Sequence, residues 1–463
     1  MLVKILVVYF IHFVVVSVVS DQCYFNRQCP YGMFSTRTPY DAVRGDIRQI
    51  KDPENCSSVS LWSLHRHGNR NPTTVVNQLI LGIIGLKDDI VASYDAGRGS
   101  MCAQDIDGLR GWTWNSTIET LAGYLTDVGY KELYDIGARF RKRYPHLLQS
   151  KDKLYFRPTE EQRTVASAEA FIRGLIEGTD LNVTYDGPWA RDDVIRPYKT
   201  CDRHQNLIYR GAVVTAELKQ YANSTEFVAV RNAVQQRLGL SHQLTGMEVY
   251  SMYELCGFTR SWEPNSRSPW CSIFTNEDLV VMEYSDDVRH YYNSGYGSWV
   301  NKRLGQVIMA DLYVKFNEYV HGEGKNIVSY FTHDTALDMA YVAMGLFKDS
   351  FKITGARRDD SRMWKTSHLS PFATNIIAVL NSCQESGRRS YRVQLFVNEK
   401  ETTLCPTEGC TWEQFVNIFQ SFTETTLDFC GLDYQDVKNI ASGSRALLGC
   451  IAMIQIINFW FFI

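Results

Sequence analysis

Two kinds of apolar run alternate along the chain. Val59 to Leu64 and Ile327 to Phe331 are short and apolar, which predicts two strands. Each breaks into a polar segment and then resumes at helical spacing, in Val75 to Leu86 and in Thr335 to Phe347. Each strand therefore hands over to a helix. From about Asp186 to Leu304 the character changes: Phe227 to Leu238, Leu244 to Leu255 and Leu279 to Tyr292 all carry apolar residues at helical spacing. Strand candidates return at Ile376 to Leu380 and Tyr391 to Val397, and the polar, glycine-containing segment between them predicts a hairpin that completes the sheet. The expected fold class is α/β, a sheet flanked by helices. Residues 21–185 and 305–430 form it discontinuously, with 186–304 inserted as a mostly α-helical cap. The cap aromatics Trp262, Trp270, Tyr291, Tyr292 and Tyr296 are read as core.

Composition adds a compartment to this picture. The chain has 463 residues, 45% hydrophobic and 21% charged, enough to bury a substantial core. A net charge of -3 provides no basic field for capturing nucleic acid, so an anionic ligand must be met by local arginines and lysines. Lys4 followed by an apolar run from Ile5 to Val19 reads as a signal peptide over residues 1–20, with Asp21 as the new N-terminus. Asn55, Asn115, Asn182 and Asn223 open glycosylation sequons, whereas Pro72 excludes Asn71. The 12 cysteines are widely spaced and lack the paired rhythm of zinc sites, so disulfides are expected, Cys405 and Cys410 being near enough to close a small loop. Residues 431–463 end on an apolar tail behind the small cluster Ala441 to Ser444. This is the form of a signal for a lipid (GPI) anchor, with Asn439, Ser442 or Gly443 as attachment site and a membrane-spanning tail as the alternative. Loss of Cys450 with that tail leaves an odd number of cysteines.

Candidate chemistry sits where the two predicted strands end. The first carries Arg66-His67-Gly68-Asn69-Arg70-Asn71-Pro72 and the second Thr332-His333-Asp334. In open α/β sheets, ligands bind at such strand ends. Arg66 and Arg70 disfavour a protonated imidazole on His67 and attract an anion. A neutral histidine beside a bound phosphoryl group can attack phosphorus while guanidinium groups hold its oxygens, and the distant His333-Asp334 pair can supply the acid. The arginines would repel a cation from His65 and His67, so neither a metal nor another cofactor is expected.

Beyond these motifs the chain resembles the histidine acid phosphatases. The resemblance covers roughly residues 55 to 425. It includes Leu125-Thr126-Asp127-Val128-Gly129-Tyr130 through Leu133, Gly137, Arg141, Arg143 and Tyr144, which is similar to the family's helix after the first motif, and Phe156-Arg157-Pro158 through Arg163 to Ala168, similar to its second arginine segment. Ser268 to Phe274 and Tyr291 to Gly297 resemble the branch of phytases and multiple inositol polyphosphate phosphatases, and Gly345 to Asp349 with Val393 to Lys400 resemble the latter in particular. The resemblance implies a histidine-phosphatase-type sheet with a helical cap. It also implies hydrolysis of phosphomonoesters, inositol polyphosphates above all, through a phosphohistidine. His67 is then the nucleophile, Asp334 the proton donor, His333 a further catalytic residue, and Arg66, Arg70 and Arg163 the phosphate binders. In one respect the chain departs from the animal members, which commonly carry His-Ala-Glu where it has His333-Asp334-Thr335. Substrate preference is therefore open: a broad acid phosphatase or a bisphosphoglycerate phosphatase is the alternative, and a non-catalytic surface ectodomain a third reading. Arg357, Arg358, Arg362 and Lys365 are either further substrate contacts at the pocket mouth or a solvated charged loop. The expected location is the secretory route, ending at the outer face of the plasma membrane, in the endoplasmic reticulum lumen or outside the cell.

Overall fold

The computed structural model describes residues 23–26, 31–209, 211–385, 387–433 and 436. The expected signal peptide, Cys29, Cys450 and nearly all of the expected anchor segment lie outside the described residues.

The sheet is built from β1 (Cys56–Arg66), β2 (Leu154–Pro158), β3 (Ile327–Thr332), β4 (Asn375–Glu385) and β5 (Arg388–Val397), with the short β6 (Lys400–Glu401) and β7 (Cys410–Thr411) at its far side. Its order is β2-β3-β1-β4-β5-β6, and β7 pairs with β5. β2, β3 and β1 run parallel, in a register that sets Arg66 beside Thr332 and Phe331 beside Pro158. β4 runs antiparallel to β1 and turns back as the β4–β5 hairpin. β3 is buried along its whole length and β1 over its last seven residues, which is why both read in sequence as apolar runs without a period of two.

The pleat of β1 divides the core. Leu61 joins Leu133, Phe140 and Phe171 of the helices Asp127–Arg143 and Gln162–Ile176 on one face. Trp62 and Leu64 join Ile308 and Leu312 of helix Trp299–Val320 on the other. That second cluster continues without a break through Tyr250, Tyr253 and Met282, so the helices that carry these residues share one core with this face of the sheet.

Between 186 and 304 the described residues contain no strand; the helices are Ala212–Ala222, Thr225–Leu238, Gly246–Trp262 and Asn276–Asn293. Capping boxes fix two of their starts, Thr245 with Glu248 and Thr275 with Asp278. The expected boundary at 304–305 falls inside the continuous helix Trp299–Val320. Trp270, Tyr291 and Tyr292 are buried, and Trp262 and Tyr296 pack against the same core.

Among the described residues, five disulfides join Cys23–Cys102, Cys56–Cys383, Cys201–Cys430, Cys256–Cys271 and Cys405–Cys410. This pairing belongs to an oxidising compartment, secretory or lumenal. Among the described residues, no helix is long and apolar enough to cross a membrane.

Candidate active site

Parallel pairing delivers three strand ends side by side, so the residues that follow them, His67, Thr159 and His333, meet at one edge of the sheet. The His67 amide donates to Thr332 O at 3.0 Å, and the Thr159 amide donates to Phe331 O at 3.0 Å. Beyond His67 the chain lies against the start of helix Asp127–Arg143. Thr126 caps this helix by accepting from the Gly129 amide and donates its hydroxyl to Asn69 Oδ1 at 2.7 Å. A Cβ on Gly68 would run into the backbone of Gly129, and a Cβ on Gly129 into the backbone of Asn69. Glycine at both positions is what lets this loop seat His67.

His67 is buried, and its Nδ1 lies 2.8 Å from Gly68 O. Only a protonated Nδ1 satisfies that carbonyl, which leaves the lone pair on Nε2. Burial, then the charges of Arg66, Arg163 and Arg70, push its pKa well below the ordinary imidazole value, so the ring is neutral even in mild acid. His65 differs. It stacks on Phe331 at 5.2 Å and hydrogen-bonds Ser63, a core histidine held neutral by burial.

Arg66 is fully buried. It donates through Nη1 to Thr36 O and Ser370 O, lies over the Phe372 ring and pairs through Nη2 with Asp334 at 3.0 Å. Burial together with repulsion from Arg163 and Arg66 draws Arg70 down to about 9. Arg163, in the first turn of helix Gln162–Ile176, reaches His333 Nδ1 at 3.4 Å, and its Nε is buried without a hydrogen-bond partner among the described residues. The His67 and His333 rings meet edge to face at 5.6 Å.

His333 stands between Arg163 and Glu161. Its Nε2 is 3.0 Å from Glu161 and 3.2 Å from Thr159, and burial lowers its pKa to about 4. Asp334 opens the helix Asp334–Met344, whose amino end adds positive potential to the site. Burial alone would raise the Asp334 carboxyl, yet Arg66, followed by His290, His333 and Arg70, holds it below the usual carboxylate range. One helical turn on, Asp338 accepts from His290 and Ser294, each at 2.7 Å, and from Ser370.

A cleft of two lobes opens on this cluster. One, of about 280 Å³, is lined by His67, Arg163, Arg196, Tyr198, Lys199 and His333; the other, of about 230 Å³, by Arg37, Glu254, Arg289 and His290. Arg70, Tyr209, Asp334 and Thr335 border both.

His67, Arg70, Arg163, His333 and Asp334 thus share one cleft wall, while Arg66 lies behind it and lines neither lobe. The region 357–365 contributes no lining to either lobe, so the pocket-mouth reading of its cations is corrected. Arg362 forms a buried pair with Asp287 at 2.6 Å, Arg358 binds Glu226 at 2.9 Å, and neither Arg357 nor Lys365 reaches the cleft. Sequence reasoning gave no role to Glu161, Thr159, His290, Asp338 or Lys199. Glu161, two residues before Arg163, carried the only local signal. Asn55, Asn115, Asn182 and Asn223 are all exposed. The grouping of Cys23, Cys102 and Asp105 offers no open metal site, because the two sulfurs are bonded to each other and Asp105 accepts the amides of Tyr24 and Phe25.

A neutral buried histidine facing a cationic cleft at the carboxyl edge of parallel strands defines the class as a phosphate-handling α/β enzyme. The chain belongs to the histidine phosphatase superfamily, branch 2, whose family model matches residues 60–398. It is 29% identical over 432 residues to multiple inositol polyphosphate phosphatase 1 of Drosophila melanogaster, covering 90% of each protein. It is 24% identical to the Homo sapiens protein of the same name, over 89% of this chain and 85% of that one. The phytase from D. castellii superposes with a TM-score of 0.67 at 18% identity over 87% of each chain, a likeness of fold.

Proposed function

We propose that this chain hydrolyses phosphomonoesters of inositol polyphosphates through a phosphohistidine on His67. The observation that carries the chemistry is the neutral His67, its free Nε2 facing a cleft whose wall holds Arg70, Arg163 and Asp334. The substrate class draws on the inositol polyphosphate phosphatases among its relatives. His67 Nε2 forms a bond to phosphorus as the ester P–O bond breaks. Arg70 and Arg163, with His333, take the equatorial oxygens. Arg66 acts from behind through its charge and its hold on Asp334. Asp334 gives its proton to the departing oxygen; a water then attacks phosphorus, Asp334 recovers a proton from it, and free phosphate and neutral His67 return.

Because Asp334 is ionised in the empty cleft, the proton it donates must arrive with the substrate. A bound phosphate brings negative charge onto the same cations and raises the carboxyl, and the monoanionic ester, dominant below about pH 6, supplies the proton. The expected optimum is therefore acidic. No metal enters the scheme, so full activity in a chelator is expected, and loss that added zinc restores would overturn it.

We place the chain in the secretory pathway, delivered by the segment 1–20, glycosylated at Asn55, Asn115, Asn182 and Asn223, and held at the outer membrane face by a lipid anchor added near its C-terminus. The five disulfides support the compartment.

The test is phosphate release from phytate and from p-nitrophenyl phosphate by the ectodomain and by His67→Ala. Release from phytate that disappears in the variant supports the proposal. Release from the small ester alone means a broad acid phosphatase, and release from neither means a binding ectodomain.

A further inference from the structure

We propose that Lys199 is a specificity-determining residue, its ammonium taking a second phosphate of a polyphosphorylated polyol while the first lies against His67. This rests on the function proposed above and assigns it a side chain and a direction.

The two lobes of the cleft differ in how their cations are employed. Apart from Arg70, which borders both lobes, each cation of the smaller lobe already has an acidic partner. Arg37 lies between Glu254 at 3.1 Å and Asp286 at 2.9 Å, Arg289 pairs with Asp286 at 2.8 Å, and His290 pairs with Asp338 at 2.7 Å. A phosphate entering there would have to displace buried ion pairs, which is costly because each carboxylate would be left without its partner. In the larger lobe Arg196 is engaged by Glu160 and Glu161. Lys199 is exposed on the wall shared with His67, Arg163 and His333, and its ammonium makes no ion pair or hydrogen bond among the described residues. It can accept a phosphate without giving anything up.

The backbone that carries Lys199 is held rigidly. Pro197 and Tyr198 are buried in the turn Pro197–Lys199, and Thr332, the last residue of β3, donates its hydroxyl to Ile195 O at 2.9 Å. Gln205 donates to Tyr198 O at 2.9 Å, and two residues past Lys199 the Cys201–Cys430 disulfide closes the segment. A fixed turn on the end of the catalytic strand thus presents a compact charge on a flexible stem, suited to reach a phosphate at more than one ring position. A simple monoester has nothing to offer it. Lys199 therefore sets the preference for polyphosphates rather than the rate of phosphoryl transfer.

The experiment compares kcat/KM for phytate with kcat/KM for p-nitrophenyl phosphate in the full ectodomain, in Lys199→Met and in Lys199→Arg. Lys199 is at the surface, so both variants are expected to fold. The expected result is a phytate-to-monoester ratio that drops about tenfold in Lys199→Met, carried by KM for phytate, and returns in Lys199→Arg. A wild-type ratio in Lys199→Met overturns the assignment, as does a drop that arginine fails to restore, since that traces the effect to the turn. Wild-type protein that cleaves the monoester but not phytate removes the polyphosphate reading itself, and this inference with it.

Discussion

At the residue scale, the proposed chemistry turns on keeping His67 unprotonated. His67 stays neutral in acid because it is buried among Arg66, Arg163 and Arg70, so its lone pair is available at a pH where an ordinary histidine is largely protonated. Relieving part of that repulsion should show in the pH profile. In Arg163→Met the His67 pKa rises, and the acidic limb of kcat/KM is expected to move up by about one unit, with activity down on the order of a hundredfold from the lost oxyanion contact. An unmoved acidic limb would separate Arg163 from His67. For Asp334→Asn, turnover of phytate is expected to fall at least about a hundredfold, while p-nitrophenyl phosphate, whose leaving group needs little protonation, falls much less. Equal losses on the two substrates would remove Asp334 as the acid. The residues legible in the sequence were those whose chemistry is local. Arg66, His67 and Arg70 share one heptapeptide and His333 and Asp334 one strand end, whereas Arg163 was reached only through the family resemblance. His290 and Asp338 carry nothing unusual in their own sequence, and their importance arises only when distant elements meet.

At the element scale, the loop Gly68 to Asn71 and the start of helix Asp127–Arg143 act as one part. Alanine at Gly129 would press on Asn69, and the expected result is a loss of about 1–3 kcal/mol of stability together with reduced activity, because the same contact seats His67. Thermal melts with activity assays check both, and an unchanged Tm with full activity contradicts the close-approach account. The elements read from sequence were the strongly patterned ones. β1, β3 and the β4–β5 hairpin appeared where expected, as did the helices containing Phe227, Leu255 and Tyr284, each extended by a turn or less at most ends. The helix expected to reach Phe347 stops at Met344, because Gly345 turns it with φ 74°. β2 went unseen. Its Arg157 and Pro158 argue against a strand, and only its place at the sheet edge makes the proline harmless. The expected boundary at 304–305 lies within the helix Trp299–Val320, where the sequence has no breaker.

At the scale of the whole molecule, one apolar cluster joins the sheet face to the helices Gly246–Trp262 and Asn276–Asn293, and disulfides tie distant segments to this body. Cys56–Cys383 links β1 to β4, and Cys201–Cys430 holds the wall of the larger lobe 229 positions away along the chain. Replacing the Cys201–Cys430 pair by alanine is expected to lower stability by about 2–5 kcal/mol and to weaken phytate binding more than monoester binding, as the Lys199 turn loosens. Calorimetry with paired kinetics checks it, and a loss shared equally by both substrates would place the effect in the fold alone. The most direct test of the central claim is to quench Asp334→Asn under alkaline conditions during turnover of p-nitrophenyl phosphate, whose leaving group departs without the acid, and to map phosphorylation by mass spectrometry. The account predicts an acid-labile, alkali-stable phosphoryl group on His67; its absence throughout turnover, or its appearance on another residue, would contradict it.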